Sequence, residues 1–131
     1  MLIKPLLAVA ALASSVAAGV NCAGNDFSTA ELDACKNELC KWNNRAGPGG
    51  YPHFFANHEG FTWAVSKIHS LYIYPLIHGI NAYSGGAPGA HRCIVNYDSK
   101  TGQCVTLGGI THTGASSVNG FVKCQTTAST S

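Results

Sequence analysis

The chain has 131 residues, 46% of them hydrophobic and 11% charged, and its eight Lys and Arg against six Asp and Glu give a net charge of +2. A composition this apolar and sparsely charged excludes an intrinsically disordered chain, and the length suits one domain rather than two. The charge is too small to hold nucleic acid by bulk electrostatics, so any polynucleotide must be held at a local site.

Residues 1–18 read as a secretory signal peptide. Lys4 supplies the positive flank, residues 6–18 are an apolar run, and Val16-Ala17-Ala18 fits the small-residue cleavage rule. The run is shorter than the ~18–20 apolar residues of a membrane span, and no basic stop-transfer flank follows it. No later stretch is apolar enough to cross a bilayer, so no membrane partner is expected. Residues 19–131 are then a single mature domain; without Lys4 it holds seven basic and six acidic residues, a net of +1. All six cysteines (Cys22, Cys35, Cys40, Cys93, Cys104 and Cys124) fall in it. An even count in a small secreted chain reads as a disulfide framework, whose pairing spacing alone does not choose. With no CxxC pair, a structural zinc site is not expected.

Along the mature chain one helix is well signalled. Ser28-Thr29-Ala30-Glu31 is a capping box, and Leu32, Cys35 and Leu39 recur on one helical face. Asn43 and Asn44 lead into Ala46-Gly47-Pro48-Gly49-Gly50, which cannot continue a helix, so the helix is expected at about 29–43. Residues 51–56 and 61–66, rich in aromatic and β-forming types, read as strands, and 72–77 as a third. Residues 84–89 are a Gly- and Pro-rich loop. Residues 92–97 and 103–111 read as a hairpin around Asp98-Ser99-Lys100-Thr101-Gly102, and 121–123 as a last strand. The polar tail 126–131 is expected to be flexible. One helix followed by strands is the α+β pattern: an N-terminal helix packed on an antiparallel sheet and stapled by disulfides.

The chemistry-bearing residues are histidines: His53, His58, His69, His78, His91 and His112. Singly, each is most simply a surface or hydrogen-bonded residue, and no HExxH or Cys/His ligand pattern points to a metal. A small metal-binding protein would need several of them, His53 and His58 among them, to converge. Two sit in distinctive company: Tyr51-Pro52-His53 opens one expected strand, and Ile110-Thr111-His112-Thr113-Gly114-Ala115-Ser116 surrounds the other.

These two segments belong to a set of three. The first is Tyr51-Pro52-His53 with Asn57-His58-Glu59-Gly60-Phe61. The second is Tyr83-Ser84-Gly85-Gly86-Ala87-Pro88-Gly89-Ala90-His91-Arg92. The third is the His112 segment followed by Phe121-Val122-Lys123-Cys124. In this order and spacing, across nearly the whole mature chain, they resemble the fungal guanyl-specific ribonucleases, the ribonuclease T-one family.

The resemblance implies a microbial-ribonuclease α+β fold and metal-independent cleavage of single-stranded RNA through a 2′,3′-cyclic phosphate, with no cofactor. By position His112 would be the general acid, Arg92 the phosphate clamp and Tyr51 a donor to a phosphoryl oxygen. His53 would be the second imidazole, and Phe121 would pack beside the leaving group. In guanine recognition Asn57 would act through its backbone. Glu59 would accept from the N1–H and N2–H edge, a contact adenine cannot copy. Phe55 and His58 would stack on the base, at about 1–3 kcal/mol per stacking contact. The plainer alternatives are that Phe55 is core and Glu59 a turn residue. The resemblance also implies bridges Cys22–Cys124 and Cys40–Cys104. Cys35 and Cys93 are then left, either as a third pair or as buried free thiols.

One departure stands out. The family's catalytic glutamate precedes an aromatic-proline pair; that pair is Tyr74-Pro75 in this chain, and Ile73 precedes it. No Asp or Glu occurs between Glu59 and Asp98, and two residues are inserted between Phe61 and Pro75. Two readings follow. Either His53 becomes the base and the chain is a weak, guanine-preferring endoribonuclease, or it is a ribonuclease-shaped effector or toxin, as occurs among plant-infecting fungi, that binds host RNA or a host protein without turnover. Both describe a secreted, fungal-type monomer; the second acts inside a host cell.

Overall fold

A computed structural model of the chain describes residues 17–42 and 45–128. A hairpin comes first: β1 (Ala17–Cys22) and β2 (Asn25–Ser28). The helix α1 (Thr29–Trp42) follows, then a 3₁₀ turn, Pro48–Gly50. Strands β3 (His53–Phe54), β4 (Ser70–Pro75), β5 (His91–Tyr97), β6 (Cys104–Thr111) and β7 (Val122–Lys123) form a five-stranded antiparallel sheet in the order β3-β4-β5-β6-β7. The last strand, β8 (Gln125–Ala128), pairs with β1 in a three-stranded sheet ordered β2-β1-β8.

The capping box starts α1 as expected. Ser28 Oγ accepts from the Glu31 amide at 3.1 Å, and Glu31 Oε1 accepts from the Ser28 amide at 2.8 Å. Glu31 Oε2 also accepts from the Gly79 amide at 2.7 Å, so the cap ties a distant loop to the helix start. Leu32, Cys35 and Leu39 are the buried face of α1. Asn43, expected as the helix end, lies outside the described residues.

Strand alternation divides β5 between two cores. Cys93 and Val95 face α1, in a cluster with Leu39, Tyr74 and Phe27. Ile94 faces the other way, in a second cluster with Phe55, Leu71, Ile73 and Ile110. Arg92 and Asn96 flank Ile94 on that second face. All three expected disulfides form, Cys22–Cys124, Cys35–Cys93 and Cys40–Cys104, with sequence separations of 102, 58 and 64 residues. Cys35 and Cys93 are therefore bridged, not free thiols. Closing loops this long restricts the unfolded chain, an effect of about 2–4 kcal/mol per bridge.

Several expectations are corrected. The strand expected at 51–56 shrinks to two residues. Tyr51 closes the 3₁₀ turn with its amide on the Pro48 carbonyl, Pro52 has no N–H to pair, and Asn57 (φ 59°) turns the chain away. Residues 61–66 form no strand. The Asn57 side chain takes both the amide and the carbonyl of Phe61, each at 2.9 Å, and Lys123 Nζ donates to the Thr62 carbonyl. The aromatic alternation there reflects Phe61 and Trp63 docking on the second core from a loop. That loop is pinned at its far end by buried Asn96, which accepts from the His69 amide at 2.8 Å and donates to the Lys67 carbonyl at 2.9 Å.

The start of the tail is a strand. Residues 125–128 form β8, which pairs with β1 through its backbone while its side chains stay largely exposed; residues 129–131 lie outside the described residues. The β1–β2 hairpin was not legible in the sequence. Its two-residue turn has Ala23 and Gly24 at φ 51° and 87°, and alanine seldom adopts that conformation. Residues 1–16 of the expected leader lie outside the described residues. Ala17 and Ala18 begin β1, and pairing with β2 starts at Gly19.

Ser28→Ala removes the helix cap and should cost about 1 kcal/mol, read as a lower urea midpoint at unchanged slope.

Candidate active site

On the face of the sheet away from α1 lies a cleft of about 550 Å³. Its walls are β3 with the loop after it, and the segment following β6. Tyr51, His53, Arg92 and His112 line it, and so do Phe55, Asn57, His58, Glu59 and Phe121. Every expected catalytic and base-binding position thus opens on one space.

Arg92 is its fixed charge. The side chain is 4% exposed. Nη1 donates to the carbonyls of Gly89 at 2.8 Å and His91 at 2.9 Å, and Nη2 donates to Tyr51 Oη at 3.0 Å. Its Nε has no hydrogen-bond partner. Among the described residues no carboxylate forms an ion pair with it. A buried guanidinium neutralised only by dipoles retains a strong preference for an anion.

His53 stacks on Tyr51, ring centroids 3.9 Å apart. It stands directly opposite Ile73 across the β3–β4 ladder. His53 remains exposed, yet its basicity is lowered below the ordinary imidazole range, chiefly by partial desolvation of the ring and secondarily by the Arg92 charge. His112 lies just past β6, with β4 and β5 between it and His53. Its Nδ1 is 2.7 Å from the Gly120 carbonyl oxygen. A carbonyl only accepts, so Nδ1 carries the hydrogen and Nε2 is left for a ligand. Phe121 stacks on the ring at 3.9 Å and holds its plane.

The loop 57–60 is built from the side chain of Asn57, which clamps Phe61 at both backbone groups. Asn57 therefore has only its backbone to offer a base. Glu59 reaches across the cleft, where Oε2 accepts from the Phe121 amide at 2.9 Å. Phe55 is 8% exposed, packed between Phe61 and Phe121, so it serves the core and the cleft wall together. His58 is exposed.

Comparison with known proteins decides the family. A family model described as ribonuclease matches residues 15–125. Guanyl-specific ribonuclease Th1 of Trichoderma harzianum is 39% identical over 75% of this chain and 89% of its own length. Guanyl-specific ribonuclease F1 of Fusarium fujikuroi is 36% identical over 92% of this chain and 88% of its own. Guanyl-specific ribonuclease T1 of Aspergillus oryzae is 39% identical over 81% and 75%. The chain belongs to the ribonuclease family.

In this chain Ile73 lines the cleft beside His53 and is 5% exposed, an apolar side chain within the second core. Ser117, Asn119, Gly120 and the exposed ring of Phe54 also line the cleft, and none was expected from the sequence. Residues 117–120 carry no pattern of their own in the sequence; the signal available was their position between His112 and Phe121. Among the described residues no cluster of three or more His, Cys, Asp or Glu forms a metal site, and His69 and His78 instead approach Asp98 and Glu31.

If Arg92 holds an anion, inorganic phosphate should raise the melting temperature of the wild type, by about 2.7 kcal/mol of stability at a hundredfold excess over Kd. Arg92→Met should abolish the rise in scanning calorimetry.

Proposed function

We propose that this chain is a secreted, guanine-preferring endoribonuclease that cleaves single-stranded RNA without a metal. The observation that carries the reading is the shared cleft of His53, Arg92 and His112, in which one imidazole sits on β3 and the other just past β6, on either side of the arginine's strand. Displacement at phosphorus needs a base, an acid across from it and a fixed positive charge.

His53 takes the proton of the ribose 2′-OH. The oxygen attacks phosphorus as the bond to the 5′-oxygen breaks, and His112 delivers the proton of Nε2 to that leaving oxygen. The products are a 2′,3′-cyclic phosphate and a free 5′-OH. Water reverses the roles and opens the ring to a 3′-phosphate. Arg92 and Tyr51 hold the phosphoryl oxygens, and Phe121 shields the leaving group. Glu59 accepts from the N1–H and N2–H edge of guanine, the Asn57 backbone takes another base edge, and Phe55 and His58 stack on the base. The names of the relatives, all guanyl-specific ribonucleases, support the guanine preference. Secretion is supported by the three disulfides and by a relative named extracellular, ribonuclease Fl1 of Gibberella baccata. Those names lend no support to a reading without turnover or to a host-protein partner.

Ile73 stands where the family's glutamate would be, so His53 works without a carboxylate beside it. Purified protein should yield cyclic-phosphate ends from RNA in the presence of EDTA, and His112→Ala should abolish them; equal residual cleavage in both would leave a protein that binds RNA without turnover. Ile73→Glu should raise the rate about tenfold or more, and an unchanged rate in a folded variant would place the missing carboxylate elsewhere.

The pH dependence follows from His53. A base works above its own pKa, and the pKa of His53 is lowered from 6.5. The acidic limb of kcat/KM should therefore lie below pH 6.5, measured on a dinucleoside phosphate.

A further inference from the structure

One peptide group joins the base-reading side of the cleft to its acid. The amide of Phe121 donates to Glu59 Oε2 at 2.9 Å, and the carbonyl of the same peptide, on Gly120, accepts from His112 Nδ1 at 2.7 Å. The partners are far apart in sequence: 62 residues separate Glu59 from Phe121. The Phe121 ring, carried by the residue whose amide Glu59 holds, covers the imidazole at 3.9 Å.

We propose that Glu59 is a positioning residue for His112 as well as the guanine reader. By gripping the Phe121 amide, its carboxylate orients the Gly120–Phe121 peptide, and that carbonyl fixes the His112 ring and its Nδ1–H tautomer. The inference rests on His112 being the acid. Only the Nδ1–H tautomer presents Nε2 to the cleft, where that atom must exchange a proton with the leaving oxygen. A carboxylate has lone pairs on both oxygens, so Glu59 can accept from a base through Oε1 while Oε2 keeps the Phe121 amide. A base that fits Glu59 thereby bears on the same carboxylate that holds the peptide. The Nδ1–H to carbonyl bond and the amide to carboxylate bond run in series through that one peptide, so each reinforces the other.

The two duties separate by substitution. Glu59→Gln keeps a carbonyl oxygen for the Phe121 amide but sets an NH₂ group against the donors of guanine. Glu59→Ala removes both contacts, and Glu59→Asp, one methylene shorter, draws the carboxylate away from the amide. In the ¹⁵N-labelled full chain, at a pH where the ring is neutral, His112 should be the Nδ1–H tautomer in wild type and Glu59→Gln. It should be a mixture of tautomers in Glu59→Ala and Glu59→Asp. With adenylyl-(3′,5′)-cytidine, whose base makes no use of Glu59, Glu59→Ala should lower kcat about tenfold to a hundredfold, the scale set by small misplacements of a catalytic group. Glu59→Gln should lose the preference for guanylyl-(3′,5′)-cytidine and lower kcat on the adenylyl substrate several-fold less than Glu59→Ala does.

A single Nδ1–H tautomer in folded Glu59→Ala or Glu59→Asp overturns the proposal, as does an equal kcat loss in the Gln and Ala variants on the adenylyl substrate. If no variant and no wild type cleaves RNA, the ribonuclease reading falls, while the tautomer measurement still decides the role of Glu59 on its own.

Discussion

The structure turns on a buried cation that the protein does not neutralise with a carboxylate. Arg92 lies at the end of β5, and its guanidinium is met by the carbonyls of Gly89 and His91 and by the hydroxyl of Tyr51. Dipoles offset part of the desolvation cost of the charge, and a phosphate would offset more. The surroundings follow from keeping that group in place. The Gly-rich loop before β5 supplies carbonyls, and the 3₁₀ turn ahead of Tyr51 brings up the hydroxyl. Partial desolvation of the ring and, secondarily, the same positive charge keep the neighbouring His53 less basic than an ordinary imidazole.

A single strand performs the scaffolding. Successive residues of β5 point alternately toward the helix and toward the cleft. Cys93 and Val95 are locked under α1, one of them covalently, while Arg92, Ile94 and Asn96 form the floor and flanks of the opposite face. The packing that makes the domain stable therefore also sets the direction of the functional arginine. Rigid strands position the charge and one imidazole, whereas loops closed by side-chain clamps carry the residues proposed to read the base. That division is common where a stable framework must present a specific surface.

Much of this was legible in the chain. The capping box and the three-and-four spacing of Leu32, Cys35 and Leu39 dictate α1 through local chemistry, and β5 and β6 declare themselves by β-forming runs around a Gly-containing turn. The residue types of the cleft were legible because three short segments carry them in order. What was not legible depends on distance or on backbone alone. Strand β8 is polar because its contribution is backbone pairing to β1, and no side-chain pattern records that. Phe61 and Trp63 alternate like a strand but dock from a loop, since Asn57 takes the hydrogen bonds that a neighbouring strand would need. The contact of Glu59 with the Phe121 amide arises only when the sheet brings two remote loops to the same rim.

Asn96 gives the ribonuclease a place to vary. Its side chain pins the segment leading into β4, and the Asn57 clamp pins the start at Phe61, so the intervening stretch is a closed arc with both feet anchored. Insertions there lengthen the arc without shifting Ile73 past His53 on the neighbouring ladder. A change confined to that arc would alter the surface beside the cleft, its charge and its reach, while His53, Arg92 and His112 keep their mutual geometry.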